Sequence, residues 1–378
     1  MTRRTHLTLA LLPTAWLLAC GPGEAPAPPD VSRGAQAPRS LGFVLVDFTF
    51  EQPDRPEGAC PTGWNLNERD LYASQLSQDD PAAASQVPPG FDYVRASRAA
   101  KDDDPCALPE RFEALPHNLA QGYTIAPGFD LDASNSTPDD PGPNACAHSD
   151  FSTPSGEPGV DNQLWTVLGC VEGYRRGGTI DEYALGNLRE GRRTILVRLD
   201  GVDDLHNDDE VELAVYSSAD PIPTDSQGAL MDQASFSATD DDRFRNVMPA
   251  RIRDGVITAR SPDFQIDFDG QFLDSEFPLR DAQLRLEIGA DGRLRGLIGG
   301  FWDIERFYDT YAKQASRLGV LTLGFRCPGM LGALRRQADA YPDPKSGACT
   351  AISTVFRLEG IPAFVIEAEP ERVAELRL

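Results

Sequence analysis

Residues 250–260 read Ala-Arg-Ile-Arg-Asp-Gly-Val-Ile-Thr-Ala-Arg, and this stretch decides the fold class. Apolar and polar side chains alternate on both sides of Asp254-Gly255, which is the period of a half-buried strand. An Asp-Gly pair between two such runs is typical of a tight hairpin turn. The stretch therefore predicts two antiparallel strands, at residues 250–253 and 256–260.

The same alternation recurs on both sides of this hairpin. Further strands are predicted at 41–50, 194–199, 211–216, 264–268, 282–288, 294–298, 351–358 and 363–367, with a second hairpin turn at Asp291-Gly292. Helices are predicted at 67–76, 162–171 behind an Asp161 cap, 302–314 and from Pro328 onward. Many short strands with few helices and long irregular acidic loops predict a mainly β fold, a disulfide-braced β-sandwich or jelly-roll-like domain.

The cysteines indicate an exported, disulfide-bonded protein. The chain contains seven, of which six follow residue 20: Cys60, Cys106, Cys146, Cys170, Cys327 and Cys349. An even number in an exported chain is typical of disulfides, and the absence of C-x-x-C spacing argues against zinc. The six fall in order as three local pairs, so we expect Cys60–Cys106, Cys146–Cys170 and Cys327–Cys349. The long irregular region 77–159 would be held in place by Cys60–Cys106, by bound ions, or by both.

The N-terminus has the pattern of an export signal. Arg3 and Arg4 precede an apolar run at 7–19, which is too short to span a membrane as a helix. The run ends in Leu17-Leu18-Ala19-Cys20, which resembles the lipobox of bacterial lipoproteins. The resemblance implies removal of a signal peptide, residues 1–19, and acylation of Cys20. An ordinary secretory signal, with Cys20 discarded or left as a free thiol, is the alternative interpretation.

Composition divides the chain after residue 19 into two parts. Residues 20–40 are rich in Pro, Ala and Gly and predict an extended tether, followed by a single β-rich domain at 41–378. Gly21 stands where an inner-membrane retention signal has Asp, so we expect a cell-envelope protein on the outer membrane. The net charge of −24 repels nucleic acid and anionic lipid, so the expected membrane contact is the lipid anchor alone.

The region from Gly122 to Asp161 is the best candidate for a metal site. Asp130, Asp132 and Ser134 place side-chain oxygens at alternating positions, and Asp139, Asp140, Asn144 and Asp150 lie close by in the sequence. Calcium binds six to eight oxygens of this kind. The spacing is not that of an EF-hand, since Asn135 and Pro141 occupy the positions of its glycine and glutamate. A solvated acidic loop without a cation is the alternative interpretation, and no other cofactor is predicted.

Catalytic motifs are absent from the sequence. It contains no G-x-S-x-G, H-E-x-x-H, P-loop or G-x-G-x-x-G pattern. Hydrolysis of a glycan by two carboxylates stays open, because their separation cannot be read from sequence. Phe301-Trp302 could form a sugar-stacking surface, but the helical spacing of the aromatic residues that follow favours packing in the core.

Two passages resemble uncharacterised secreted proteins and lipoproteins of proteobacteria. They are Gly159-Val160-Asp161-Asn162-Gln163-Leu164-Trp165, continuing to Cys170 and Gly173-Tyr174-Arg175, and Tyr341-Pro342-Asp343-Pro344-Lys345-Ser346-Gly347-Ala348-Cys349-Thr350-Ala351-Ile352-Ser353. The resemblance implies one exported domain and supplies no catalytic residue. We therefore expect a lipid-anchored binding or structural module with a candidate calcium site; the alternative is an extracytoplasmic carboxylate-dependent glycan hydrolase.

Overall fold

Strands are the commonest regular elements of the structure, and most of them belong to one sheet. The computed structural model describes residues 39–54, 57–65, 82, 106–112, 114, 116–137, 139–140, 146, 148–190, 194–267, 276–314 and 327–367. In this part of the chain the strands are β1 Arg39–Phe50, β2 Phe151–Ser152, β3 Pro158–Val160, β4 Thr194–Val202, β5 Asp208–Ser218, β6 Ala234–Ser237, β7 Arg245–Arg253, β8 Val256–Asp267, β9 Glu276–Ile288, β10 Leu294–Asp303, β11 Ala340–Pro342 and β12 Cys349–Ile366. The α-helices are α1 Gln163–Leu168, α2 Thr179–Arg189, α3 Ile304–Tyr308 and α4 Cys327–Gln337.

The predicted Asp-Gly hairpin is confirmed between β7 and β8. Arg253 pairs with Val256, so Asp254 and Gly255 form a two-residue turn. Both have positive φ, +51° and +82°, as a type I′ turn requires. Side chains along β7 alternate strictly between buried and exposed, so one face of the hairpin lies in the core.

Eight long strands form a closed antiparallel barrel, which corrects the expected β-sandwich or jelly roll. Their order is β1-β4-β5-β7-β8-β9-β10-β12, and β12 pairs again with β1 from Phe43 opposite Pro362 to Phe50 opposite Phe356. Each barrel strand therefore pairs with the barrel strands before and after it in the chain. Closure gives every one of these strands two neighbours, whereas a sandwich leaves edge strands.

The barrel interior is filled with apolar side chains, and helices supply further residues to the same core. Phe48, Phe277, Trp302 and Phe356 form an aromatic group, in which the Phe277 and Trp302 ring centroids lie 4.6 Å apart. Helical residues of this core include Leu164 and Leu168 of α1, Leu188 of α2, Phe307 of α3 and Leu331 and Leu334 of α4. Trp302 is fully buried and Phe301 is 5% exposed, so packing of this pair in the protein is confirmed and a sugar-stacking surface is not.

A second apolar layer covers part of the barrel's outer wall. Val44, Leu196 and Tyr216 belong to a buried cluster with Ile222 and Phe236, which lie in the segment after β5. Within that segment, β6 runs parallel to the end of β12. Where this layer covers them, the barrel strands β1, β4 and β5 are therefore buried on both faces.

All six cysteines after Cys20 form disulfides, but the expected pairing is wrong. The bonds join Cys60 to Cys170, Cys106 to Cys327 and Cys146 to Cys349, with sequence separations of 110, 221 and 203 residues. The local pairs Cys60–Cys106, Cys146–Cys170 and Cys327–Cys349 do not occur, because the barrel brings distant segments together. The two cysteines of region 77–159 are thus bonded to α4 and β12, and neither is bonded to Cys60 or Cys170 as expected.

Several element boundaries differ from those expected. The helix predicted at 302–314 begins at Ile304, since Trp302 still pairs with Ile352 in the sheet and Asp303 caps the helix through two backbone amides. The strands predicted at 351–358 and 363–367 are one strand, β12, and those at 256–260 and 264–268 lie in β8 as far as Asp267. Helix α2 was not predicted. The strand predicted at 41–50 begins two residues earlier, at Arg39.

Some expectations fall on residues outside those described: the signal peptide, Cys20, the tether up to residue 38 and the helix at 67–76. Among the described helices, none has both the length and the apolar character needed to cross a membrane.

Candidate metal centre

The loop that carries the first predicted ligands lies on the outer wall of the barrel, over β9 and β10. Arg285 Nη2 donates a hydrogen bond to the Gly128 carbonyl at 3.1 Å, and Gln283 Nε2 donates to the Asp130 carbonyl at 3.1 Å. Phe129 packs so closely over Gly299 that a Cβ there would lie 2.6 Å from its ring. The loop is therefore positioned by the barrel and not only by its own turns.

Three aspartates of this region bring their carboxylates together. One oxygen each from Asp130, Asp132 and Asp161 lies within 4.8 Å of the others. Asp130 and Asp132 come from one tight turn, in which the Ser134 amide donates to Asp130 Oδ1 at 3.1 Å and to Asp132 Oδ1 at 2.9 Å. Ala133 has a φ of +59°, which lets the turn fold back in this way.

Asp161 reaches the group from a distant part of the chain. Its amide donates to the Phe129 carbonyl at 2.8 Å, and its Oδ2 accepts from the Leu131 amide at 2.7 Å. The side chain is 4% exposed. Burial of this carboxylate beside two others is unfavourable unless it is protonated or a cation is bound.

Two further aspartates stand near the three. Asp150 Oδ2 accepts from the Ser136 amide at 2.5 Å, and its pKa is affected by the charges of Asp130 and Asp132. Asp339, between α4 and β11, is 4% exposed and accepts from the Ser353 amide at 2.7 Å. The Ser353 hydroxyl in turn accepts from the Gln163 amide at 2.8 Å, two residues after Asp161.

Burial and mutual repulsion raise three of the five pKa values toward or above neutrality. Burial is the main cause that raises the pKa of Asp161 to about 8, and the charges of Asp339, Asp132 and Asp150 raise it further. Burial likewise raises the pKa of Asp339 to about 7, against the opposing hydrogen bonds from Ser353. The pKa of Asp150 rises to about 6, again mainly through burial.

Such a group of carboxylates has two ways to relieve its repulsion. It can hold protons, which the raised pKa values describe, or it can bind a divalent cation in their place. Three carboxylates from two segments can supply three to six of the oxygens that calcium requires, and backbone carbonyls and waters supply the remainder in such sites.

Gly159 brings the second segment close enough to the first. Its φ is +86°, and a Cβ built on it would lie 2.7 Å from the Ser134 carbonyl and 3.5 Å from the Asp130 carboxyl group. Only glycine combines this backbone conformation with this approach. The position is thus required for Asp161 to meet Asp130 and Asp132.

The predicted metal ligands are brought together in part. Asp130 and Asp132 lie in the group, and Ser134 contributes its amide to both carboxylates. Asp139 and Asp140 are exposed and do not belong to it. Asp161, expected only as a helix cap, and Asp339 were missed, since they come from segments about 30 and 210 residues away whose approach depends on the barrel. The available signal for Asp161 was an acidic residue two positions after Gly159, followed by the polar pair Asn162 and Gln163.

The site and fold together define a class: an eight-stranded antiparallel barrel, braced by three disulfides, with an acidic centre on its outer wall. Comparison with protein-family models, curated proteins and solved structures finds no match. The expected resemblance to secreted proteins and lipoproteins of proteobacteria stays a prediction.

Proposed function

We propose that this protein is a lipid-anchored binding module of the bacterial cell envelope whose barrel holds a calcium ion at Asp130, Asp132 and Asp161. The observation that carries the proposal is the convergence of these three carboxylates within 4.8 Å, one of them almost fully buried. The raised pKa values of Asp161, Asp339 and Asp150 support it, because burial and, less strongly, neighbouring carboxylates disfavour their charged forms, and a bound cation would offset both effects.

Calcium fits this centre better than magnesium or zinc. All the candidate ligands are oxygens, which suit hard cations, and they lie on a loop and a short strand end that can supply carbonyls as well. Magnesium demands near-ideal octahedral geometry, whereas calcium accepts the irregular arrangement of three carboxylates that come from two segments.

The proposal is tested by isothermal titration of calcium into the purified, EDTA-treated protein. We expect one saturable site, and a rise in melting temperature on adding calcium because the ion binds only the folded state. Asp132→Asn should weaken binding by about tenfold or more through loss of one carboxylate. Asp139→Asn is the matched control, since it removes an equal charge from the same loop region outside the group, and its affinity should not change. Equal affinity in both variants, or no binding by the wild type, would contradict the proposal.

The membrane anchor is proposed on the sequence alone, from Leu17-Leu18-Ala19-Cys20 and the Pro- and Gly-rich residues that follow. Two or more acyl chains hold a protein stably at a bilayer, whereas one holds it only marginally. Mass spectrometry of the native protein should find an N-terminal acylated Cys20. A chain that begins elsewhere, or one without fatty acid, would refute this part and leave the calcium site to its own test.

The alternative function, a glycan hydrolase with two carboxylates, gains no support from the centre. A general acid must reach the glycosidic oxygen, whereas Asp161, the carboxyl with the highest pKa, is buried and accepts from the Leu131 amide. The aromatic pair Phe301 and Trp302 is buried as well. Hydrolysis stays a prediction, to be measured as release of reducing sugar.

A further inference from the structure

A second site lies on the outer wall of the barrel, beside the acidic centre. The exposed faces of β7, β8 and β9 form an open groove of about 610 Å³. Its polar lining comes from Arg251, Arg260, Arg285, Thr258, Gln283 and Asp209. Three arginines against one aspartate make this groove positive in a chain whose net charge is −24.

The sheet register sets the spacing of the arginines. Thr258 pairs with Arg251 on one side and with Arg285 on the other, so the three form a row across three strands. Because neighbouring strands lie about 4.8 Å apart, the backbones of Arg251 and Arg285 are separated by about 10 Å. Arg260, two residues beyond Thr258 on the same face, pairs with Gln283 in the next row.

One arginine of the groove is fixed in place and two have unused donors. Arg285 donates to the Gly128 carbonyl, and its guanidinium lies 5.2 Å from the Phe129 ring centroid. Within the described residues, neither Arg251 nor Arg260 makes a side-chain hydrogen bond or an ion pair. The acid of the lining, Asp209, already pairs with Arg253.

We propose that this groove binds a small dicarboxylate. A guanidinium presents two parallel N–H donors that match a carboxylate, so Arg251 and Arg260 can each hold one. Thr258, between the arginines, adds a hydroxyl donor. The strongly negative field of the whole molecule opposes a long polyanion, but two charges are balanced locally by the lining.

Ligand-observed NMR with glutarate as the probe tests this proposal on the full chain. Glutarate should bind, butyrate, which has one carboxylate, should bind about tenfold more weakly, and added salt should weaken glutarate. The double variant Arg251→Gln/Arg260→Gln should lose glutarate affinity by about tenfold or more. The control variant Arg243→Gln/Arg295→Gln is charge-matched, since both arginines are already paired with acids outside the groove, and it should bind as the wild type does.

Three results would overturn the proposal: no glutarate binding, equal binding by the double variant, or tighter binding of inorganic phosphate than of glutarate. The melting temperature of the double variant without calcium, expected to match that of the wild type, shows that the barrel is folded. Because this readout does not use calcium, it separates failure of this proposal from failure of the calcium site.

Discussion

Gly159 is the residue on which assembly of the acidic centre depends most directly. Replacing it with alanine forces a side chain into a positive-φ position and against the Ser134 carbonyl, 2.7 Å from the new Cβ. We expect Gly159→Ala to lower the free energy of unfolding by about 2 kcal/mol and to weaken calcium binding. Urea unfolding and calcium titration provide the measurements.

Gly156→Ala is the control that separates the steric contact of residue 159 with Ser134 from the cost of a positive φ angle. Gly156 has a φ of +92°, but a Cβ there would meet nothing within 4 Å. The substitution should lower the free energy of unfolding by about 1 kcal/mol, because alanine is strained at this φ angle, and should leave calcium affinity unchanged. Identical behaviour of the two variants would show that the approach of Gly159 to Ser134 is not required.

The raised pKa values predict that calcium displaces protons. At pH 7, Asp161 with a pKa of about 8 is mostly protonated, and Asp339 with a pKa of about 7 is half protonated. Binding should release about one to two protons at pH 7 and close to none at pH 9. Calorimetry in buffers of different ionisation enthalpy measures this number, and a value independent of pH would contradict the assignment of Asp161.

At the scale of elements, the Cys146–Cys349 disulfide attaches the loop before Asp150 to the start of β12. Replacing both cysteines with serine should lower the free energy of unfolding by about 2–5 kcal/mol, because the disulfide closes a long loop of the chain. It should also weaken calcium binding, since Asp150 lies four residues after Cys146, and Ser353, whose amide donates to Asp339, lies four residues after Cys349.

Removal of the Cys106–Cys327 bond, which holds a segment against α4, is the matched control. It should cost similar stability in urea and retain the calcium affinity of the wild type. Comparable loss of affinity in both variants would mean that disulfides act on the centre only through overall stability.

Local elements could be predicted from the sequence, and long-range pairings could not. The turn at Asp254-Gly255 could be predicted because Asp and Gly readily adopt the positive φ angles that it requires. The alternation of apolar and polar side chains beside the turn indicates which face of the strand is buried. Alternation is the same in a sandwich and in a barrel, so closure of β12 on β1 left no local signal. Loop entropy favours short disulfide loops, but the fold decides which cysteines meet. For the same reason Asp130 and Asp132 were found and Asp339 was not.

At the scale of the whole molecule, the acidic centre makes stability depend on pH. The carboxyl groups titrate near 3.8 when unfolded and near 6 to 8 when folded, so the folded state holds more protons in that window. Their contribution to the free energy of unfolding is therefore complete below about pH 4 and is lost as pH rises to about 8.

Asp161→Asn removes the largest of these contributions and isolates it. In EDTA the variant should equal the wild type near pH 4 and exceed it by on the order of 5 kcal/mol at pH 8, because asparagine carries no charge. With saturating calcium the order should reverse. A stability difference that does not vary with pH in EDTA urea curves would refute the coupling.

Pairing of β1 with β12 also sets the order of events during folding. The first barrel strand, Arg39–Phe50, gains its second partner only when Cys349–Ile366 has been synthesised. Contacts between such distant residues give a high contact order, which makes folding slow compared with that of helical proteins of similar stability. A chain that ends before residue 349 would keep an unpaired strand edge, so C-terminal truncation should yield aggregates rather than a smaller barrel.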